Sequence, residues 1–218
     1  MRSGIPSDYS ATKPIFLAQA QQLSKYIRTL DTPSLARVMK ISPKLAQATK
    51  QSFDNWTTAT NKQIPAMDCF LGDIYSGFQV ASLDKQDRDF AQQHLRIISG
   101  LYGLLRPLDG VLPYRLEMAY RLPNDTFRNL YTFWGDSLAK TISNEPLLCN
   151  LSSVEYSSAI LPYLSTTQVI TPKFMTVEPK TKQPKFVVVH AKIARGAMAR
   201  WCIKNRIESV ADLQKFND

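Results

Sequence analysis

The sequence predicts an α/β fold, a single domain over residues 1–218 with a mixed, largely parallel sheet flanked by helices and a C-terminal hairpin. Two observations carry that expectation. Four times, a short apolar run of the kind a buried strand needs gives way at once to small, polar and charged residues. These are residues 66–71 into Gly72-Asp73-Ile74-Tyr75, 96–98 into Ser99-Gly100-Leu101-Tyr102-Gly103, 147–149 into 150–156, and 186–191 into Lys192-Ile193-Ala194-Arg195-Gly196. Between them, apolar residues recur at helical spacing. Ligands of open α/β sheets bind beyond the carboxyl ends of the strands, so four such ends predict one cleft built from all of them.

Taken in order, Phe16, Ala20, Leu23, Ile27 and Leu30 step by three and four behind Pro14 and predict a helix over residues 14–30. Thr32-Pro33 and Ser42-Pro43 each pair an N-cap residue with a first-turn proline and predict two more, the second running through Leu45, Ala48 and Phe53. The first strand is expected after Pro65. A short helix follows Gly72-Asp73, and residues 84–94 read as helix with Asp87 and Asp89 at the favourable end of the dipole. Strand 95–98 leads into a Gly- and Pro-dense stretch, 99–123, read as irregular; a loop that long in a compact domain is usually functional. Residues 129–143 read as helix and 147–151 as the third strand. Residues 169–177 and 185–191 predict a hairpin around a solvated loop. The last helix is expected over 192–205, with a helical tail at 209–216.

At 218 residues, with 44% hydrophobic and 10% aromatic content, the chain can bury a sizeable core and is not of the disordered class. No apolar run approaches the roughly 20 residues that span a bilayer, and the first residues have no apolar signal core. The expected setting is cytoplasmic, without membrane contact. Cys69, Cys149 and Cys202 are widely spaced, and His94 and His190 are the two histidines. That pattern predicts reduced thiols and neither a metal site nor a cofactor. Lys and Arg number 27 against 18 Asp and Glu, a formal net charge of +9 that attracts polyanions such as nucleic acid. Between Lys173 and Arg206, the cations Lys180, Lys182, Lys185, Lys192, Arg195, Arg200 and Lys204 are opposed by Glu178 alone.

The phosphate-loop, dinucleotide-fingerprint and zinc-protease signatures are absent. The most specific stretch is Ser99-Gly100-Leu101-Tyr102-Gly103-Leu104-Leu105-Arg106-Pro107, whose two glycines permit a tight turn with amides available to an oxyanion. The turn is similar to the hairpin of helix-hairpin-helix DNA-binding modules, although Pro107 argues against a long following helix. Its competing reading is a structural turn. Arg115 and Glu117, two apart, would share one side of an extended segment; they form either an anion clamp with an acid–base partner or a self-contained ion pair. Lys192 and Arg195 at the start of the last helix, with Arg200 beyond, place cations where the dipole disfavours them, which points to a bound anion. Arg121 adds to the same basic set.

Residues 90–96, 99–109 and 113–118, Leu130-Tyr131-x-Phe133-Trp134-Gly135-Asp136, Asn150-Leu151-x-Ser153-x-Glu155-Tyr156, and Ala191-Lys192-x-Ala194-Arg195-Gly196-x-Met198-Ala199-Arg200 together closely resemble the YaaA peroxide-stress protein family. The resemblance runs through nearly the whole chain with motif order kept. It implies a cytoplasmic α/β protein of the oxidative-stress response that binds double-stranded DNA through a basic cleft and limits iron-dependent damage. The family's opening apolar strand and its last Gly-Tyr-x-Phe segment have no counterpart here, so the domain is expected to be shortened at both ends, with an exposed apolar sheet edge. The expected anion-binding set is Ser99, Gly100, Tyr102, Gly103, Arg106, Arg115, Arg121, Lys192, Arg195 and Arg200. Asp73, Tyr75, Glu117, Ser153, Glu155 and Tyr156 are expected to line the same cleft. Those carboxylates exceed what phosphate gripping needs and support a rival expectation, an enzyme acting on a nucleotide or nucleobase-like small molecule.

Overall fold

Three helices open the chain in the computed structural model, which describes residues 1, 9–58, 62–124 and 126–217. Helix α1 (Leu17–Thr29) buries Ala20, Leu23, Ser24 and Ile27, the stripe its periodicity predicts. Helix α2 (Thr32–Met39) begins one residue earlier than expected: the Asp31 carboxylate accepts the Ser34 amide at 2.8 Å, so Thr32 and Pro33 lie inside the first turn. Ser42 caps α3 (Pro43–Asp54) as expected, accepting from the Leu45 amide at 3.3 Å.

Among the described residues, four two-stranded sheets stand where one sheet was expected. Strand β1 (Ile64–Pro65) pairs antiparallel with β4 (Gly110–Val111), and β2 (Ile97–Ser99) with β3 (Gly103–Leu105). Strand β5 (Leu147–Cys149) is parallel to β6 (Gln168–Ile170), and β7 (Thr176–Val177) is antiparallel to β8 (Pro184–Lys185). The architecture is a mixed α/β single domain whose sheets are short and largely antiparallel. The causes are local. After Pro65 the chain turns into α4 (Ala66–Cys69), whose Ala66 and Met67 amides bond the Asp109 and Pro107 carbonyls at 2.9 and 3.0 Å. Ala, Met and Cys lack the β-branching that resists such a turn. Residues 186–191 do not make a long second arm of the hairpin either. The Ala191 amide bonds the Val187 carbonyl at 2.9 Å, and Ala191 is buried, so α10 (Val188–Lys204) starts ahead of Lys192. The helix expected over 129–143 is divided into α7 (Leu130–Trp134) and α8 (Ser137–Lys140) at Gly135, whose φ of +49° ends the first piece.

Three further helices position the site. Helix α5 (Asp73–Phe78) follows Gly72, α6 (Lys85–His94) carries a reciprocal Asp84–Asp87 capping box, and α9 (Val154–Ser157) lies against β2. Helices α5 and α10 cross in backbone contact. A methyl group on Gly77 would sit 2.0 Å from the Ile193 carbonyl oxygen, and one on Gly196 would sit 1.8 Å from that of Ile74. The core lies under the 99–118 stretch, where Leu101, Tyr102, Leu104, Leu105, Leu116 and Met118 are buried together with Phe53, Trp56 and Trp134. A short α11 (Val210–Leu213), capped by Ser209, follows α10. Strand β5 is half-buried throughout and Val169 of β6 is exposed.

Candidate functional site

The loop that joins β2 to β3 faces inward. Ser99 Oγ accepts the Tyr102 amide at 2.8 Å and shares a 2.6 Å hydrogen bond with the Tyr114 hydroxyl. Gly100 and Gly103 are required by packing. A side chain on Gly100 would meet the Leu116 carbonyl oxygen at 2.2 Å, and Gly103, at φ +70°, abuts Trp134 and Leu138. The turn's glycines therefore admit neighbouring chain, and its Tyr102 amide is spent on Ser99 inside the protein. The Tyr102 hydroxyl accepts the Trp56 indole N–H at 2.8 Å and the Leu112 amide at 3.1 Å.

Around this turn the fold gathers six of the nine tyrosines: Tyr75, Tyr102, Tyr114, Tyr120, Tyr131 and Tyr156. Tyr75 stacks on Phe70 with ring centres 5.5 Å apart, and Tyr114 meets Tyr102 edge to face at 5.5 Å. Burial raises the Tyr75, Tyr114 and Tyr156 phenols above their ordinary value, with the neighbouring hydroxyls or the Glu155 and Glu117 carboxylates adding to it. Burial also pushes Tyr102 up to about 12, against hydrogen bonds from Leu112 and Trp56 that lower it. The phenols are thus neutral donors and acceptors at physiological pH.

At the rim, Arg115 Nη2 and Glu117 Oε1 are 2.8 Å apart, with side chains 40% and 33% exposed. The Tyr120 hydroxyl interacts with both; burial and the Glu117 carboxylate push it up to about 12. Arg115 Nε and Glu117 Oε2 are nonetheless sealed from solvent without a well-formed hydrogen bond. Glu155 Oε1 accepts the Ala119 amide at 3.1 Å, and the Glu155 carbonyl accepts the Tyr131 hydroxyl at 2.8 Å. Beside this cluster, a hollow of about 160 Å³ is lined by Met67, Phe70, Leu71, Gly72, Tyr75 and Phe78 among others.

The remaining expected residues are distributed differently. Lys192 Nζ lies 3.5 Å from the Asp73 carboxylate across the α5–α10 crossing, and Arg200 bonds the Gln79 side chain. Because α10 begins at Val188, Lys192 and Arg195 sit in its second turn, away from the free amides of its N-terminus. Arg106 is engaged elsewhere. It grips the fully buried Asp109 carboxylate through Nη2 at 2.8 Å and Nε at 3.1 Å, and bonds the Lys13 carbonyl. Arg121 is exposed, and Ser153 precedes α9 without a side-chain cap bond. The residues sequence reasoning passed over are Phe70, Tyr114 and Tyr120; the tyrosine density of 102–120 was the available signal. Among the described residues, no three His, Cys, Asp or Glu side chains are grouped to hold a metal.

The family model described as peroxide stress protein YaaA matches residues 2–218. The chain belongs to the YaaA peroxide-stress family. Curated relatives agree. A UPF0246 protein of Salinispora tropica is 45% identical over 216 residues, which cover 99% of this chain and 82% of the relative. UPF0246 proteins of Idiomarina loihiensis and Ruegeria pomeroyi are 40% and 41% identical, each match covering 96% of this chain and 84% of the relative. Within this YaaA-family fold, most of the expected residues fall either in a tyrosine-rich cluster with its Arg115–Glu117 rim or in a cationic stretch on α10, and Arg106 belongs to neither. Helix α5 bears on both, through Tyr75 and Asp73 respectively. No described helix is long and apolar enough to cross a membrane.

Proposed function

We propose that this protein binds duplex DNA through phosphate contacts and, in peroxide stress, limits iron-dependent damage to it. The observation carrying the reading is a set of uncompensated cations. Lys173, Lys180 and Lys182 are exposed and Arg195 half-buried, and none has a carboxylate within ion-pair distance among the described residues. Lys192 and Lys185 add charge whose partners Asp73 and Glu178 are partly exposed. The hairpin is fastened to the first turn of α10 by a 2.9 Å hydrogen bond between Thr176 and His190, which holds the base of the hairpin beside the start of that helix. Phosphate contacts release counterions, which makes affinity insensitive to sequence and steeply salt-dependent. Fluorescence anisotropy with a labelled duplex tests it. Replacing Lys180, Lys182 and Arg195 by Gln is expected to flatten the log–log salt slope by about 3, at roughly 0.9 per phosphate contact. Unchanged affinity and slope would remove these residues from the interface.

A second reading is favoured by the rim of the tyrosine cluster, where Arg115 Nε and Glu117 Oε2 lie buried without a well-formed bond. Buried polar atoms in native proteins are paired in the great majority of cases, so this pair supports a polar ligand there, of nucleotide or nucleobase type. A thermal-shift screen of bases and nucleotides separates the readings. Stabilisation by one of them that Arg115→Gln abolishes supports a small-molecule activity, and an inert screen with intact duplex binding leaves the DNA reading alone.

A further inference from the structure

A second hollow, of about 170 Å³, lies between α1 and the chain leaving α3, away from the tyrosine cluster's rim. Among the described residues its lining is Gln21, Ser24, Lys25, Arg28, Trp56, Thr57 and Thr58, which holds two cations, three hydroxyls and no carboxylate. Ser24 is only 1% exposed, and its hydroxyl has no hydrogen-bond partner. That departs from what helical hydroxyls ordinarily do, which is to turn back on the carbonyl four residues earlier. Thr49 and Ser52 on α3 do so, at 2.8 Å to Leu45 and 2.9 Å to Ala48. Ser24 forgoes that bond at the wall of a polar hollow.

The cations are suited to a ligand. Arg28 is fixed by its Nε bond to the Phe53 carbonyl at 2.7 Å and by Nη2 to the Trp56 carbonyl, which holds the guanidinium plane still. An arginine has five N–H donors, so this bracing leaves donors uncommitted. Lys25 is exposed at the rim. Hydroxyls, an amide and two permanent cations without a competing carboxylate make a donor-rich, positive concavity, and the chemistry that satisfies it is an acceptor-only oxyanion. We propose that this hollow binds a phosphate-type oxyanion, with the Ser24 hydroxyl donating to it and Arg28 and Lys25 balancing its charge. The wall is tied to the protein's centre, because the Trp56 indole donates to the Tyr102 hydroxyl. Trp56 therefore reports occupancy optically.

The test is a titration of the full chain with inorganic phosphate at constant ionic strength, chloride being the matched control. It is read by thermal shift and by tryptophan fluorescence, with Trp56→Phe identifying the signal. The expected result is saturable stabilisation by phosphate and not by chloride. Lys25→Gln and Ser24→Ala should each weaken phosphate affinity about tenfold, the loss of one charge-assisted hydrogen bond. Ser24→Ala should leave the unliganded protein as stable as before, because it removes an unsatisfied group; this separates a ligand donor from a packing residue. Two sources share this chemistry, a free small anion and a nucleic-acid backbone. If a short duplex displaces phosphate from the hollow, and Lys25→Gln weakens duplex binding, the backbone is the source; if duplex binds without displacing it, a free anion is. Absence of a saturable phosphate effect, or a phosphate effect untouched by both substitutions, overturns the proposal. The hairpin and α10 variants do not touch this hollow, so its failure and that of the DNA reading are distinguishable.

Discussion

Substituting Gly196 by alanine sets two effects of known sign against each other. Gly196 is inside α10, and intrinsic helix propensity favours alanine there by about 1 kcal/mol. The new methyl, however, would sit 1.8 Å from the Ile74 carbonyl oxygen and 2.6 Å from the Phe78 amide nitrogen, both backbone atoms of the crossing helix segment. Real Cβ contacts do not fall below 3.0 Å, so the two helices must separate by about 1.2 Å. Side chains rotate away from such a clash and helical backbone does not. Overpacking costs about 1–3 kcal/mol where the surroundings can adjust, and a backbone obstacle belongs at or above the upper end. With propensity subtracted, the net loss is about 2 kcal/mol, or roughly 4–8 °C in melting temperature for a chain of this size. Urea unfolding followed by circular dichroism measures the first, and calorimetry the second. Gly77→Ala, whose methyl meets the Ile193 carbonyl oxygen at 2.0 Å, should cost a similar amount. The double substitution should cost less than the sum, because the first methyl has already opened the gap the second requires. A Gly196→Ala protein as stable as the parent, or more so, would mean that propensity prevails and that α5 and α10 are not in backbone contact.

Three other outcomes follow from the ion pairs and thiols. Arg106→Ala leaves the fully buried Asp109 carboxylate without its guanidinium and should cost about 3–5 kcal/mol, with Asp109→Asn in the same chain recovering part of it; chemical denaturation of the single and double variants checks this. Burial alone would raise the Asp87 carboxyl, but the Arg206 hydrogen bond, the Asp84 amide bond and Lys204 together hold it below its ordinary 3.8. Its contribution to stability is therefore full above the unfolded-state value and is lost as pH falls towards the folded one, so urea midpoints should drop on acidification below about pH 4, and Asp87→Asn should flatten that drop. Burial pushes the Cys149 and Cys202 thiols up to about 11 and 12, leaving little thiolate at neutral pH; both should alkylate and oxidise more slowly than free cysteine until the protein unfolds, and rapid labelling of the folded chain would refute it.

The helices were the most legible part of the chain, and the reason is physical. Ser42-Pro43, Asp84 with Asp87, and the Leu23–Ile27 stripe encode caps and faces within a few residues of the structure they dictate. The strands were not, because an apolar run specifies burial and leaves the backbone geometry open. Residues 66–69 are mostly buried and 188–191 are exposed except for Ala191, yet both segments are helical, since the neighbours that take up their amides lie elsewhere in the sequence or in the same turn. The 99–103 segment shows the same limit at a finer scale. Two glycines around Leu-Tyr can open a backbone to a ligand or admit a neighbouring chain, and Leu116, Trp134 and Leu138 decide for the second. Arg106 was drawn to a cleft by its charge, while the buried carboxylate that claims it lies three residues on.

Charge distribution distinguishes the two groups of residues. The tyrosine cluster places Arg115 against two carboxylates, Glu117 and Glu155, so its local formal balance is not positive. On the proposed reading, a phosphate backbone would gain little there, whereas a small polar ligand that needs one cation, one carboxylate and neutral phenols would be matched. The protein's net charge of +9 must then be expressed elsewhere, and the stretch from Lys173 to Arg206 carries nine cations against one acid before its partners on α5 and α6 are counted. Those partners, Asp73 and Asp87, offset part of the charge of Lys192, Lys204 and Arg206, whereas Lys173, Lys180, Lys182 and Arg195 have no ion-pair partner among the described residues. The field is thereby concentrated on the hairpin and the adjoining turns of α10. Duplex affinity should accordingly respond to substitutions there and stay unchanged in Arg115→Gln. A variant at Arg115 that abolished duplex binding without unfolding the chain would place the nucleic acid in the cluster and reverse this assignment.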